Sequence, residues 1–200
     1  MECTRSQRRF VQSLLKYVDN CSLILDAGCG SGWLGGMLKE YFSATVVGVD
    51  SGAKAQKCNV EHFAVMDVRS LGFSESFDLV IAKDVLEHLA NPMSAMKEFG
   101  RILKKDGKII ITVPSPQAPF LWDDYTHVRP FTKASLYKLL VESGFEVIFM
   151  RYLAAPTPGA ALLRIEGFLN SLADKGFRRG NVLAVGIKRI DTTKTAGLTE

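Results

Sequence analysis

The chain has 200 residues, 47% of them hydrophobic, which is enough for one domain with a substantial core. The formal net charge is only +4 and most basic residues are scattered, so we expect a solvated surface and no nucleic-acid partner. No apolar run approaches the roughly 18 residues of a membrane span, and no signal-peptide core is present, which predicts a cytoplasmic protein without a membrane span.

Domain organisation and cysteine usage are both simple. The four cysteines show neither C-x-x-C spacing nor a disulfide pattern, which favours thiols in a reducing compartment. We expect a single domain over residues 1–190. The polar residues 191–200 predict a disordered tail.

The first half of the chain alternates helical and strand patterns. Apolar residues recur at helical spacing over residues 5–18, and a second helix extends to about Tyr41. Three apolar runs predict buried strands, and each run ends in an aspartate. The runs cover residues 23–26, 45–50 and 60–67, with only a short helix over 51–57 before the last of them.

The second half of the chain predicts four more strands and three helices. The Lys-Asp-Gly sequence at 105–107 predicts a turn, and the prolines that follow residue 113 predict an extended loop. The strands cover 77–83, 108–113, 145–153 and 181–189; one helix begins at Asn91-Pro92, one begins after Thr132 and ends at Gly144, and one covers 160–177.

The three aspartates that end strands are Asp26, Asp50 and Asp67. We expect them along one edge of a parallel sheet, where ligands bind in open α/β folds. Asp50 is suited to accept hydrogen bonds from both hydroxyls of a ribose, and its alternative role is to cap the following helix. Three such acids in succession indicate a ligand site rather than capping alone.

Between the first strand and the second helix lie three glycines at alternate positions, Gly28, Gly30 and Gly32. Glycine permits positive φ and close approach of a ligand, and a helix N-terminus offers unpaired amides. Residues 30–35 also fit the G-x-G-x-x-G pattern of NAD-binding folds. An Asp26 carboxylate pointing into the crevice repels a pyrophosphate but attracts an ammonium and a sulfonium, which favours S-adenosylmethionine over NAD.

Five segments resemble, in order and over most of the chain, the class I S-adenosylmethionine-dependent methyltransferases, and in particular their type 11 branch. The segments are LILDAGCGSG, VVGVD, AVMD, FDLVIAKDVLEHL and RILKKDGKIIITVPSP. The resemblance implies an α/β, Rossmann-like three-layer sandwich with a seven-stranded, mostly parallel sheet of order 3-2-1-4-5-7-6 and an antiparallel strand 7. It also implies S-adenosyl-L-methionine as cofactor, S-adenosyl-L-homocysteine as product and a small-molecule acceptor. The oligomeric state stays open, and a dimer is one alternative.

The resemblance further implies which residues bind each part of the cofactor. The methionine part is assigned to Asp26, Gly28, Gly30 and Gly32, the ribose to Asp50 with its neighbour Ser51, the adenine to Asp67 and Val68, and the region near the transferred methyl to Lys83, Asp84 and His88. The helix between the second and third strands is shorter than in the family, which affects the apolar contacts to the adenine.

Methyl transfer from a sulfonium is an in-line displacement, so aligning the two reactants is the main requirement. An acceptor hydroxyl or ammonium must also lose a proton, and histidine titrates near neutral pH. His127 or His88 is therefore the predicted base. The alternative for His127 is a structural role in the proline-rich loop.

Asp84-x-x-Glu87-His88 is a second pattern of interest, because this spacing places three ligand atoms on one face of a helical turn. With His127 it suits a divalent metal that polarises an acceptor hydroxyl. It resembles metal-binding segments of a few methyltransferases that act on catechols or RNA ends. Most family members with Leu-Glu-His need no metal, so we predict none.

Three functions are compatible with these patterns. The leading hypothesis is an enzyme that methylates an O, N or C atom of an unidentified small molecule. A catalytically silent S-adenosylmethionine-binding scaffold is the second. An NAD-dependent oxidoreductase is the third, and Asp26 and the absence of a Tyr-x-x-x-Lys pair argue against it.

Overall fold

A computed structural model describes residues 4–15, 17, 21–52, 60–119, 121–154, 168–169, 171–172 and 179–189. The helices are α1 (Arg5–Leu15), α2 (Trp33–Tyr41), α3 (Pro92–Ile102) and α4 (Lys133–Glu142), with a 3-10 turn at Leu86–His88. The strands are β1 (Leu23–Ala27), β2 (Thr45–Asp50), β3 (His62–Val65), β4 (Phe77–Lys83), β5 (Leu103–Pro114), β6 (Phe145–Ala154) and β7 (Arg179–Lys188).

The strands form one seven-stranded sheet of order β3-β2-β1-β4-β5-β7-β6. The first five strands pair in parallel, whereas β7 runs antiparallel to both β5 and β6. The predicted strand order and the predicted antiparallel seventh strand are both confirmed. The order reverses between β1 and β4, which is the position where open α/β sheets bind ligands.

Successive residues of each central strand face opposite sides of the sheet, and both sides are covered. On one side Leu25 and Val80 belong to a core that includes Phe99 of α3. On the other side Ile24 and Leu79 belong to a second core, formed with α1 and α2. All five side chains are buried, and burial of each stabilises the fold by roughly 1.5–3 kcal/mol. The result is the predicted three-layer sandwich.

The predicted start and end of α4 are confirmed by its hydrogen bonds. The Thr132 side chain accepts from the Ser135 amide at 3.1 Å, and the Ser135 hydroxyl accepts from the Thr132 amide at 3.0 Å. Such reciprocal capping contributes about 1 kcal/mol. Gly144 follows the helix with a φ of 90°, a conformation that glycine adopts without strain.

Several predicted strand limits differ from the structure: β1 continues past Asp26 to Ala27, β7 begins two residues earlier, at Arg179, and the limits of β3 and β5 also differ. β3 ends at Val65, so Asp67 lies beyond the strand rather than at its last position. β5 begins at Leu103, and the predicted Lys-Asp-Gly turn is an irregularity inside this strand. The register shifts there because the extra residues loop out, and Asp106 takes a φ of 60°.

Several predictions fall on other parts of the chain. Residues 53–57 of the helix predicted over 51–57, most of the helix over 160–177 and the tail 191–200 lie outside the described residues, as do Cys3 and Cys58. Cys21 and Cys29 are thiols. Among the described helices, none is long and apolar enough to cross a bilayer.

Candidate active site

The glycine turn between β1 and α2 has the backbone that its sequence predicts. Gly28, Gly30 and Gly32 have φ angles of 72°, 51° and 74°. The Gly28 amide donates to the Val49 carbonyl at 2.8 Å, which joins the turn to the end of β2. A Cβ on Gly28 would lie 2.4 Å from Cγ2 of Val85, whereas one on Gly30 would meet no atom within 4 Å. Gly28 is therefore required for packing, and Gly30 borders open space.

Asp50 at the end of β2 is held between two loops by its carboxylate. Oδ2 accepts from the Gly30 amide at 2.9 Å, and Oδ1 accepts from the Gly52 amide at 2.8 Å. Each carboxylate oxygen has a second lone pair, so the group keeps capacity for a hydroxyl from a ligand. Ser51, which lies between Asp50 and Gly52 in the sequence, is exposed. The structure thus brings Asp50 and the glycine turn together.

Asp26 is placed differently from the predicted orientation into the crevice. Its side chain is 1% exposed, and Oδ2 accepts from the Gly35 amide in the first turn of α2 at 3.0 Å. Burial raises the pKa of Asp26 to about 7, although the Gly35 hydrogen bond and the charge of Lys83 oppose the rise and Asp50 adds to it. The carboxylate lies beneath the glycine turn, within electrostatic reach of the site.

Asp67 has a cationic partner that the sequence analysis missed. Nε of Arg69 lies 3.0 Å from Oδ1 of Asp67, and Nη2 lies 2.6 Å from Oδ2. The Arg69 side chain is the main reason that the pKa of Asp67 is lowered. Val68 between them is buried. The Asp-x-Arg spacing was the available signal for this ion pair.

Asp84 collects hydrogen bonds from three strands. Its φ is 54°, its Oδ1 accepts from Oγ1 of Thr112 at 3.0 Å and from Nδ2 of Asn181 at 2.8 Å, and it forms an ion pair with Lys83. The Lys83 ammonium lies 6.0 Å from the Trp33 ring centroid. Thr112 and Asn181 were not predicted. Asn181 reaches this edge because β7 is antiparallel, so its first residues lie beside the last residues of β5, at the same edge as the end of β4.

Glu87, His88 and His127 form a cluster next to this network. Glu87 is fully buried, and within the described part of the chain neither carboxylate oxygen has a hydrogen-bond partner. Burial is the main cause that raises the pKa of Glu87 to about 8. The two imidazole centroids are 4.7 Å apart. The structure therefore brings both predicted bases together, while Asp84 is engaged by its own partners.

Comparison with known proteins gives a consistent family. Residues 25–111 match the type 11 family described as a methyltransferase domain. An uncharacterised protein of Methanocaldococcus jannaschii is 28% identical over 142 residues, which cover 70% of this chain and 62% of that protein. A ubiquinone biosynthesis O-methyltransferase of Glaesserella parasuis is 31% identical over 109 residues, which cover 44% of each chain.

A solved structure agrees in fold. The crystal structure of a S-adenosylmethionine-dependent methyltransferase from Archaeoglobus fulgidus matches with a TM-score of 0.72 and 19% identity, over 92% of this chain and 95% of that one. The chain thus spans nearly all of this fold, but 62% and 44% of the length of the two curated relatives.

The matched segment contains the glycine turn, Asp50 and the residues that follow β3 and β4. It therefore assigns the G-x-G-x-x-G pattern to a methyltransferase turn rather than to an NAD site. Residues 25–111 therefore form a type 11 methyltransferase domain, and the sheet has the topology of the class I S-adenosylmethionine-dependent methyltransferase fold.

Proposed function

We propose that the protein is an enzyme that transfers a methyl group from S-adenosylmethionine to an O, N or C atom of a small-molecule acceptor. The observation that supports this most directly is the contact between Gly30 and Asp50. A backbone without side-chain bulk and a carboxylate with free lone pairs lie together beside open space at the sheet edge.

The residues of this edge fit the cofactor. Asp50 accepts from the ribose hydroxyls, the turn from Gly28 to Gly32 contacts the methionine part, and Val68 with Asp67 contacts the adenine. When bound, the cofactor supplies a methyl group activated by its sulfonium. Asp67 shares its carboxylate between the adenine and Arg69, because two oxygens offer about four acceptor sites.

Asp26 contributes through its charge rather than through direct contact. The carboxylate is buried beneath the turn and keeps one oxygen on the Gly35 amide. A cationic ligand in the turn favours the ionised form of a nearby acid. Cofactor binding is therefore coupled to loss of a proton from Asp26.

The acceptor side is formed by the proline-rich loop, which lies over the ends of β4 and β5. The Phe131 amide donates to the Pro114 carbonyl at 2.9 Å, and the Val128 amide donates to the Glu87 carbonyl at 2.9 Å. Trp122 and Tyr125 are 65% and 96% exposed, so their aromatic surfaces are available to an acceptor. Loops at strand ends commonly carry specificity in this way.

Calorimetric titration with S-adenosylhomocysteine and with NAD, followed by transfer of labelled methyl from the cofactor to a metabolite panel, tests the proposal. We expect binding of S-adenosylhomocysteine, no binding of NAD and label in an acceptor. Binding without transfer to any compound favours the scaffold function. Absence of S-adenosylhomocysteine binding contradicts both.

A further inference from the structure

Glu87 is an acidic residue in a buried position, where an ionised carboxylate is unfavourable. It lies in the 3-10 turn after β4, its side chain is fully buried, and its two carboxylate oxygens lack hydrogen-bond partners in the described part of the chain. Buried carboxylates in proteins are normally hydrogen-bonded, paired with a cation or bound to a metal. Among the described residues, Glu87 therefore has neither a cationic partner nor a side-chain hydrogen bond.

His88, the next residue, is oriented by a chain of two hydrogen bonds. The Thr126 hydroxyl donates to Oδ1 of Asp124 at 2.6 Å and lies 2.9 Å from Nδ1 of His88. Because the hydroxyl proton is used on the carboxylate, Oγ1 of Thr126 accepts from His88, and Nδ1 must carry a proton. The neutral imidazole then has its lone pair on Nε2.

The hydrogen bond made by Nδ1 of His127 likewise determines which ring nitrogen carries the proton. Its Nδ1 lies 2.6 Å from the Leu121 carbonyl oxygen, which accepts but cannot donate. Nδ1 must again be protonated, and the lone pair is on Nε2. Metal-binding histidines are commonly held in this way, with the second ring nitrogen donating to a carbonyl or to a group linked to a carboxylate.

The three side chains converge although they come from two separate segments. One ligand atom from each of Glu87, His88 and His127 lies within 4.8 Å of the other two, so the three side chains form a group that could hold a metal ion. One backbone and one side-chain hydrogen bond hold the segments together: the Val128 amide donates to the Glu87 carbonyl, and Nη2 of Arg129 donates to the Ala90 carbonyl at 2.7 Å. These bonds hold the segment of Glu87 and His88 next to the segment of His127.

Asp84 does not belong to the set. Its carboxylate is engaged by Lys83, Thr112 and Asn181. Two imidazoles with one carboxylate suit zinc, manganese, iron or cobalt in the divalent state, and they leave coordination positions open. A hard cation such as magnesium prefers more oxygen ligands than this cluster offers.

We propose that Glu87, His88 and His127 bind a divalent transition-metal ion with open coordination positions. This replaces the predicted role of either histidine as a base, because a nitrogen that binds a cation cannot also accept a proton. A bound ion lowers the pKa of a coordinated hydroxyl, so an acceptor that carries a hydroxyl fits the site. That last step rests on the proposed methyltransferase function; ion binding does not.

Titration of the chelator-treated full chain with cobalt(II), read by its visible d–d absorption, tests the site, and zinc(II) and manganese(II) are titrated by calorimetry. We expect one ion per chain. Glu87→Gln, His88→Ala and His127→Ala should each weaken cobalt binding by more than about 100-fold, and Thr126→Val by roughly 10- to 100-fold. His62→Ala is the matched control, since His62 is an exposed histidine of β3, and it should leave binding unchanged.

Thermal unfolding of every variant, with and without zinc, separates loss of the site from loss of the fold. Glu87→Gln keeps the shape of the side chain, so it should unfold at a temperature at least equal to that of the parent but without a zinc-dependent rise. Failure of the parent to bind any of the three ions, or unchanged binding by Glu87→Gln, overturns the proposal.

S-adenosylhomocysteine is titrated in parallel on the metal-free chain. Binding of the nucleoside without binding of an ion rejects the metal site and leaves the proposed function standing. Binding of an ion without binding of S-adenosylhomocysteine supports the metal site and rejects the proposed function.

Discussion

The Gly30 amide donates to Oδ2 of Asp50 at 2.9 Å, although the two residues are 20 positions apart and belong to different elements, the glycine turn and β2. The bond joins the turn after β1 to the end of β2, beside the point where the strand order reverses. It places a carboxylate and a side-chain-free backbone in the same crevice. Much of the proposed cofactor site depends on this contact.

Removal of the carboxylate in Asp50→Ala should weaken binding of S-adenosylhomocysteine by about 2 kcal/mol, or roughly 30-fold, because the ribose hydroxyls lose their acceptor. Calorimetric titration measures the change. Glu142→Ala, which removes an exposed carboxylate at the end of α4, should leave the affinity as it is. An unaltered affinity in Asp50→Ala would mean that Asp50 holds Gly30 and Gly52 in place and does not bind the ribose.

Alanine at Gly30 and at Gly36 should have opposite effects, although neither added Cβ meets an atom within 4 Å. Gly30 has a φ of 51°, so Gly30→Ala costs about 1–2 kcal/mol of stability and places a methyl group in the crevice. Gly36 lies within α2, so Gly36→Ala stabilises the fold by about 0.5–1 kcal/mol.

Denaturant unfolding and S-adenosylhomocysteine titration measure the two effects. Gly30→Ala should lose affinity, and Gly36→Ala should keep it. Equal affinities in the two variants would mean that the space beside Gly30 is not used by the cofactor.

The pKa of Asp26, about 7, predicts how stability depends on pH. In the unfolded chain the group titrates near its ordinary value of 3.8, so between these values the unfolded state binds fewer protons than the folded state. The free energy of unfolding should therefore fall as pH rises from about 4 to about 7, by at most about 4 kcal/mol from this group. Urea unfolding across this range, with Asp26→Asn as reference, isolates the contribution.

Cofactor affinity should show the opposite trend. The cationic cofactor favours ionised Asp26, so binding of S-adenosylmethionine should strengthen as pH rises towards and through about 7. Calorimetry in buffers of different ionisation enthalpy should detect proton release near pH 6.5. The pH dependence should disappear in Asp26→Asn, and its persistence there would assign the effect to another group.

Thr112→Val should destabilise the fold by about 1 kcal/mol, because the buried hydroxyl of Thr112 donates to Oδ1 of Asp84 and valine has the same shape without a donor. Thr45→Val is a suitable comparison, since Thr45 is an exposed strand residue and valine suits a strand. Thermal unfolding measures the melting temperatures of the two variants. Equal melting temperatures would show that Asn181 and Lys83 satisfy Asp84 without Thr112.

Sequence patterns predicted the strands, their order by family resemblance, and the glycine turn with its positive φ angles. These features depend on alternation, capping and glycine, which act over a few residues. The prediction failed for β3 and for the start of β5, where the strand limits depend on how neighbouring strands pair. The Arg69 partner of Asp67 was visible as a short-range spacing and was missed.

Local sequence patterns were enough to predict that three aspartates lie at or near strand ends, that glycines lie between β1 and α2, and that two histidines are available for chemistry. Three features appear only once the chain has folded: Asp26 is buried, Glu87 is buried without a hydrogen-bond partner among the described residues, and the rings of His88 and His127 lie close together. These features could not be predicted because the desolvation of a side chain, and its distance from other side chains, depend on which distant segments pack together. A residue's type and its immediate neighbours do not contain that information.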